Sequence, residues 1–222
     1  LNRIVAEQVI IDANAAAAVT AATNAVAAAE AANTVVTLNA ALGLVAGLPA
    51  GATKTALNDR LTYVSQVIDA IADVANAEAT HVQADLDAAQ TAVSALNAGA
   101  DKAALQARID AEQAVINQNT VNAAIALVDA AIASDRQVDW DAANVAVLAL
   151  PAGADKNTQL ARLAAQVPFT LVEEAERSDI QADLSAAATS VAAMADGVAK
   201  LALQARVDDQ QLVVLGLAGN AV

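Results

Sequence analysis

The chain has 222 residues, 25 acidic against 11 basic side chains for a net charge of −14, 57% hydrophobic residues and no cysteine. That balance excludes a nucleic-acid-binding face, which needs clustered Lys and Arg against phosphates, and it disfavours anionic membrane surfaces. Without thiols there are no disulfides, thiolate zinc sites or cysteine nucleophiles, and an aromatic content of 1% leaves alanine and aliphatic side chains to form any core.

In chain order, the opening run Leu1–Ile10 (LNRIVAEQVI) matches Leu105–Ala114 (LQARIDAEQA), the close of a repeat unit. Residues 1–25 therefore read as the end of a preceding repeat plus a connector, and the chain as a segment of a longer protein. No membrane span is expected, because the Ala-rich run 13–32 carries Asn14, Thr20, Thr23, Asn24 and Glu30.

Six landmarks then return four times at fixed offsets. They are Val26, Glu30, Leu38, Gly51, Lys54, Arg60; Val74, Glu78, Leu86, Gly99, Lys102, Arg108; Val128, Ile132, Trp140, Gly153, Lys156, Arg162; and Val172, Glu176, Leu184, Gly197, Lys200, Arg206. Such recurrence marks an array whose units stack on their neighbours. The repeats are placed at 26–73, 74–127, 128–171 and a truncated 172–222. Each is too small to bury a core comfortably alone, so neighbours must share one.

Within each unit the pattern predicts three helices. A middle helix is expected to open on a capping box at Thr80–Gln83, Ser134–Gln137 and Ser178–Gln181, with Asn33-Thr34 as a weaker version. Its apolar residues then step by three and four: Leu38, Ala41, Val45, Leu48 in the first unit and Leu86, Ala89, Val93, Leu96 in the second. Ala at 41, 89, 143 and 187 lets a partner helix approach closely. Gly51, Gly99, Gly153 and Gly197 are read as C-caps of that helix in a tight turn, followed by Thr53, Asp101 and Asp155 as caps of the next.

Nothing interrupts 54–79, so the last helix of one unit is expected to run into the first helix of the next. The connectors from Arg60 to Val74, Arg108 to Val128 and Arg162 to Val172 span 14, 20 and 10 residues. Pro168 is expected to kink or break the third, and Asn117–Thr120 to interrupt the second. The predicted fold is all-α, a rod-like tandem array of small three-helix-bundle units sharing long connecting helices.

The combination of Val-x-x-Ala-Glu, Gln-Ala-Asp-Leu-Asp-Ala-Ala, Leu-Pro-Ala-Gly-Ala-Asp-Lys and Leu-Gln-Ala-Arg-Ile resembles the tandem helical-bundle repeats of Gram-positive (bacilli) cell-surface and S-layer-associated proteins. The resemblance covers essentially the whole chain and implies a fold and an extracellular, cell-surface location, with no catalytic residue. Ile132 in the Glu position, Gln159 in the Leu position before Arg162 and the turn Ala195-Asp196-Gly197 depart from it.

Among polar residues, Arg60, Arg108, Arg162 and Arg206 are expected to brace each unit against its own Glu30, Glu78 or Glu176, and Ile132 leaves Arg162 without that partner. Asp85 with Asp87, and Asp139 with Asp141, lie within a helix and lack a calcium-loop turn, so they read as solvated face. His81 stands alone and reads as surface, and Trp140 fills a Leu position in the seam. No metal or cofactor is implied, and no phosphate loop or nucleophile elbow occurs. The chain is read as no enzyme but a structural spacer or assembly segment whose partner is protein, through self-assembly or a surface partner. The alternative is an adhesin-like protein-binding repeat, and a toxin accessory region or an ice-binding surface stands behind both.

Overall fold

In the computed structural model, which describes residues 2–216, the chain is all-α, with nine helices and no strand among the described residues. They are α1 (Asn2–Ala32), α2 (Val35–Ala46), α3 (Ala52–Thr80), α4 (Gln83–Ala95), α5 (Ala100–Ser134), α6 (Gln137–Ala149), α7 (Ala154–Ser178), α8 (Gln181–Ala192) and α9 (Val198–Val214). The chain divides into two compact units, Leu1–Ile116 and Asn117–Val222.

The unit Leu1–Ile116 holds two cores. Ala22, Val26 and Ala29 of α1 meet Leu38, Ala41 and Val45 of α2 and Leu57, Leu61 and Val64 of α3, closed by Leu48. The second draws Val67, Ala70, Val74 and Ala77 from the same α3, Leu86, Ala89 and Val93 from α4, and Leu105, Ile109 and Ile116 from α5. Along α3 the buried residues step by three or four, which keeps them on one stripe of a 3.6-residue helix. Each fully buried Leu or Val contributes about 1.5–3 kcal/mol relative to exposure. Ala41 and Ala89 have no exposed surface, so the absence of a larger side chain is what lets these helices close on their neighbours.

In the unit Asn117–Val222, Ala124, Val128 and Ala131 of α5 pack with Ala143 and Val147 of α6, Leu150, and Leu163 of α7. Further on, Val172 and Ala175 of α7 pack with Leu184, Ala187 and Val191 of α8 and Leu203 and Val207 of α9. Trp140 is partly buried against the first of these cores, and its indole N–H donates to the carbonyl of Leu163 at 2.9 Å.

By length and composition alone α1 is apolar enough to cross a membrane, with a mean hydropathy of 1.3 over its best window. This departs from the sequence expectation. Ala22, Val26 and Ala29 of this helix are committed to the first core.

Three local expectations are corrected. The capping boxes do not form, because Thr80, Ser134 and Ser178 are the last residues of α3, α5 and α7. One residue of positive φ ends each helix instead: Asn33 (47°), His81 (54°), Asp135 (54°) and Asp179 (56°). Its N–H donates to Ala29, Ala77, Ala131 or Ala175. An extended residue then opens the next helix, so the hydroxyl is spent on the turn, accepting from Val82, Arg136 or Ile180 at 3.4, 3.3 and 3.2 Å. Only Thr34, in the unit read as the weaker version, takes a side-chain cap bond, from Thr37 N–H at 3.3 Å.

The landmark glycines Gly51, Gly99, Gly153 and Gly197 are not C-caps. Leu96 and Leu150 end α4 and α6 in extended conformation, and Gly51, Gly153 and Gly197 are the N-caps of α3, α7 and α9. Their carbonyls, and that of Gly99, accept from the fourth residue on. Thr53, Asp101 and Asp155 accordingly lie inside the first helical turn rather than at the cap. There the two carboxylates favour the N-terminal end of the helix dipole.

Neither Asn117–Thr120 nor Pro168 breaks its helix: the first lies inside α5 and the second inside α7. Around Pro168 the buried residues Leu163, Gln166, Thr170 and Val172 continue on both sides. Packing of that stripe outweighs the loss of one backbone hydrogen bond.

Candidate functional site

One polar constellation that recurs through the described residues is built on the Arg register. In the first unit, Arg60 of α3 donates from Nε and Nη2 to the two carboxylate oxygens of Glu30 on α1, at 2.7 and 2.6 Å. Arg108 of α5 holds Glu78 of α3 in the same way at 2.8 and 2.6 Å. In the second unit, Arg206 of α9 holds Glu176 of α7 at 2.8 and 2.7 Å and reaches Glu173 at 3.3 Å. Paired, parallel N–H bonds of this kind fix the roll of one helix against another.

Hydrogen bonds from Arg60 and Arg108, helped by their charge against a smaller burial effect, hold the Glu30 and Glu78 carboxyls below the ordinary glutamate value. The same bonds raise Arg60, Arg108 and Arg206. The side chains of the Arg108 pair keep 38% and 37% of their surface in solvent, so screening limits what the pair contributes.

Ile132 removes the carboxylate from the register of Arg162, and the arginine turns to Asp129, one helical turn earlier, while its Nη1 donates to Gln159 at 2.8 Å. Asp129 follows Val128 as Glu173 follows Val172, so the substitute lies at a position that another repeat also uses.

A second recurring set was not legible as a site beforehand. The positive-φ residues sit seven positions after the landmark Val, and each of Asn33, His81, Asp135 and Asp179 is a polar type that tolerates this conformation. Three of them reach a buried polar residue four positions after the landmark Arg. His81 Nδ1 lies 2.8 Å from Glu112 Oε1, Gln166 donates to Asp135, and Gln210 donates to Asp179 at 2.7 Å. Glu112, Gln166 and Gln210 are 5–7% exposed. In the first unit this position is Val64, and Asn33 donates instead to Asp101 at 3.3 Å. The signal was present as a register of polar residues, but a lone His read alone looks like surface.

The landmark lysines close the set. Lys54 Nζ donates to the carbonyls of Ala46 and Leu48 at 2.7 and 2.9 Å, and Lys102 to those of Ser94 and Leu96 at 2.7 and 2.9 Å. Lys156 does the same to Leu148 and Leu150, and Lys200 to Met194. An ammonium at this point satisfies carbonyls that a helix end leaves without partners. Gly51, Gly99, Gly153 and Gly197 border the same turns, and a Cβ built at any of them meets nothing within 4 Å.

Asp85 accepts from Thr80 at 2.6 Å, Asp87 from Gln83 at 2.9 Å and Asp141 from Gln137 at 2.8 Å, all on helix surfaces. No group of three or more metal-ligating side chains occurs among the described residues. The arrangement as a whole positions helices against one another. In comparisons with known proteins, no family model, curated protein or solved structure matches the chain.

Proposed function

We propose that the chain is a non-catalytic structural segment, a spacer or assembly element of a large secreted bacterial surface or filament protein. In this reading it is a tandem array of three-helix bundles in which α3, α5 and α7 each serve two neighbours. The supporting observation is a recurring helix-bracing set, with an Arg–carboxylate bridge and a Lys on the turn carbonyls in all four repeats and a polar lock at the connector in three of them. Units that repeat their fastenings and vary only their connectors are suited to setting distance.

An adhesin reading would gain from an exposed apolar patch repeated on each unit. The exposed Leu42 of the first unit corresponds instead to Gln90, Asn144 and Ala188 in the others. Small-angle scattering on chains of two, three and four units tests the spacer reading. A maximum dimension that grows by a constant increment per unit is the expected result. Growth near the 0.38 power of length, as for a single globule, would count against it.

A further inference from the structure

Four stretches of this chain place a landmark Arg ahead of residues that enter a core at the next, fourth and eighth positions. After Arg60 they are Leu61, Val64 and Ile68; after Arg108, Ile109, Glu112 and Ile116; after Arg162, Leu163, Gln166 and Thr170; after Arg206, Val207, Gln210 and Val214. All are buried or packed against a core. A fifth copy of the register lies on α1, where Arg3 is followed by Ile4, Glu7 and Ile11. There Ile4 is 72% and Ile11 59% exposed, against 4% and 9% for Ile109 and Ile116. Arg3 and Glu7 turn to each other at 3.3 Å, and Gln8 to Asp12 at 2.8 Å.

The match extends to the polar residues. Arg108, Glu112 and Gln113 of α5 meet Glu78, His81 and Gln83, the last two through bonds of 2.8 Å and about 3.0 Å. Arg3, Glu7 and Gln8 repeat those three residue types at the same spacing. We propose that the Arg3–Ile11 face of α1 is a docking surface for a helix hairpin of the repeat type. That partner carries a carboxylate for Arg3, a hydrogen-bond donor such as His at its positive-φ connector for Glu7, and a Gln opening its second helix for Gln8. This rests on the tandem-unit reading and adds a specificity to it. A hairpin with Asp at the connector, as at Asp135 and Asp179, would set a carboxylate against Glu7 and is disfavoured.

The test appends residues 66–105 of this chain ahead of Leu1 in the full-length protein, so that Arg3 takes the place of Arg108 relative to the hairpin, and follows amide hydrogen exchange at residues 4–12. Docking is expected to slow that exchange by roughly 100-fold or more, as for amides drawn into a cooperative unit. Ile4→Asp with Ile11→Asp in the extended protein should restore fast exchange. Both side chains are exposed here, so that pair of changes leaves the remaining cores intact. His81→Asp in the appended copy should restore it in part. Exchange at 4–12 as fast in the extended protein as in the original overturns the inference.

Two other results also overturn it. One is self-association of the original chain that Ile4→Asp and Ile11→Asp abolish, which would assign the face to a second copy. The other is binding to phosphatidylcholine vesicles lost in the same variant, which would assign it to lipid. A scattering series that grows by constant increments alongside fast exchange would sink this docking alone and leave the spacer reading standing.

Discussion

At the scale of single residues, the Arg–Glu bridges fix geometry more than they add stability. Glu78→Gln removes a charge from a pair that is more than one third exposed, so the expected loss is at most about 1 kcal/mol by urea denaturation. The sign with pH follows from the lowered carboxyls of Glu30 and Glu78. A depressed folded-state value stabilises above the ordinary glutamate value of about 4.3 and is lost as pH falls through the lower folded one. The stability gap between the native chain and a Glu30→Gln, Glu78→Gln variant should be constant near neutrality and close in acid; a gap that widens in acid refutes the assignment. Asp179 is more exacting, since its φ of 56° is costly for a branched side chain. Asp179→Val is expected to destabilise by about 1–2 kcal/mol more than Asp179→Gly, which keeps the backbone and loses only the bond from Gln210. Equal effects would mean that the side-chain bond, not the turn, decides.

Among elements, the turn lysines and Pro168 carry the sharpest expectations. Lys102→Met removes two charged bonds to the carbonyls of Ser94 and Leu96 while keeping the apolar stem, and should cost about 1–3 kcal/mol. A change indistinguishable from that of an exposed Lys elsewhere would show that water replaces the ammonium without loss. Pro168→Ala should stabilise: a helix-interior proline costs about 3 kcal/mol, and truncating its buried ring loses about two methylenes at 0.8 kcal/mol each. A lower urea midpoint for Pro168→Ala would show that the ring's packing is worth more. The helical class and the three-and-four stripe at Leu38, Ala41 and Val45 were legible because burial imposes a period on residue type. Helix ends were not. Ser-x-x-Gln fits a capping box in isolation, and only the positive φ of His81, Asp135 and Asp179 shows that the previous helix reaches the hydroxyl first. Of the candidate set, the Glu–Arg positions were readable from their shared register. Glu112, Gln166 and Gln210 were hidden because two different polar types, with Val64 a third, apolar one, fill one position.

For the molecule as a whole, the question that matters is whether neighbouring cores stand or fall together, and α3 allows it to be asked inside the unit Leu1–Ile116. Val64 is the last fully buried residue that α3 gives to the core around Val45, and Val67 the first fully buried one that it gives to the core around Val93, with Ile68 and Tyr63 packing partly buried against the first and the second. Gln66 lies between them, exposed and within the helix. Gln66→Pro removes one backbone bond and sets the ring against the carbonyl of Thr62, a cost of about 3 kcal/mol that touches neither core directly. If α3 couples the two cores, that cost is shared, and native-state hydrogen exchange at Val45 and at Val93 should accelerate by similar factors. If each core is self-sufficient, the helix kinks at position 66 and the change stays local to 62–67, with both valines as protected as before. The second outcome would remove the mechanical continuity that a spacer needs, because a chain of independent cores on bendable links sets no fixed distance.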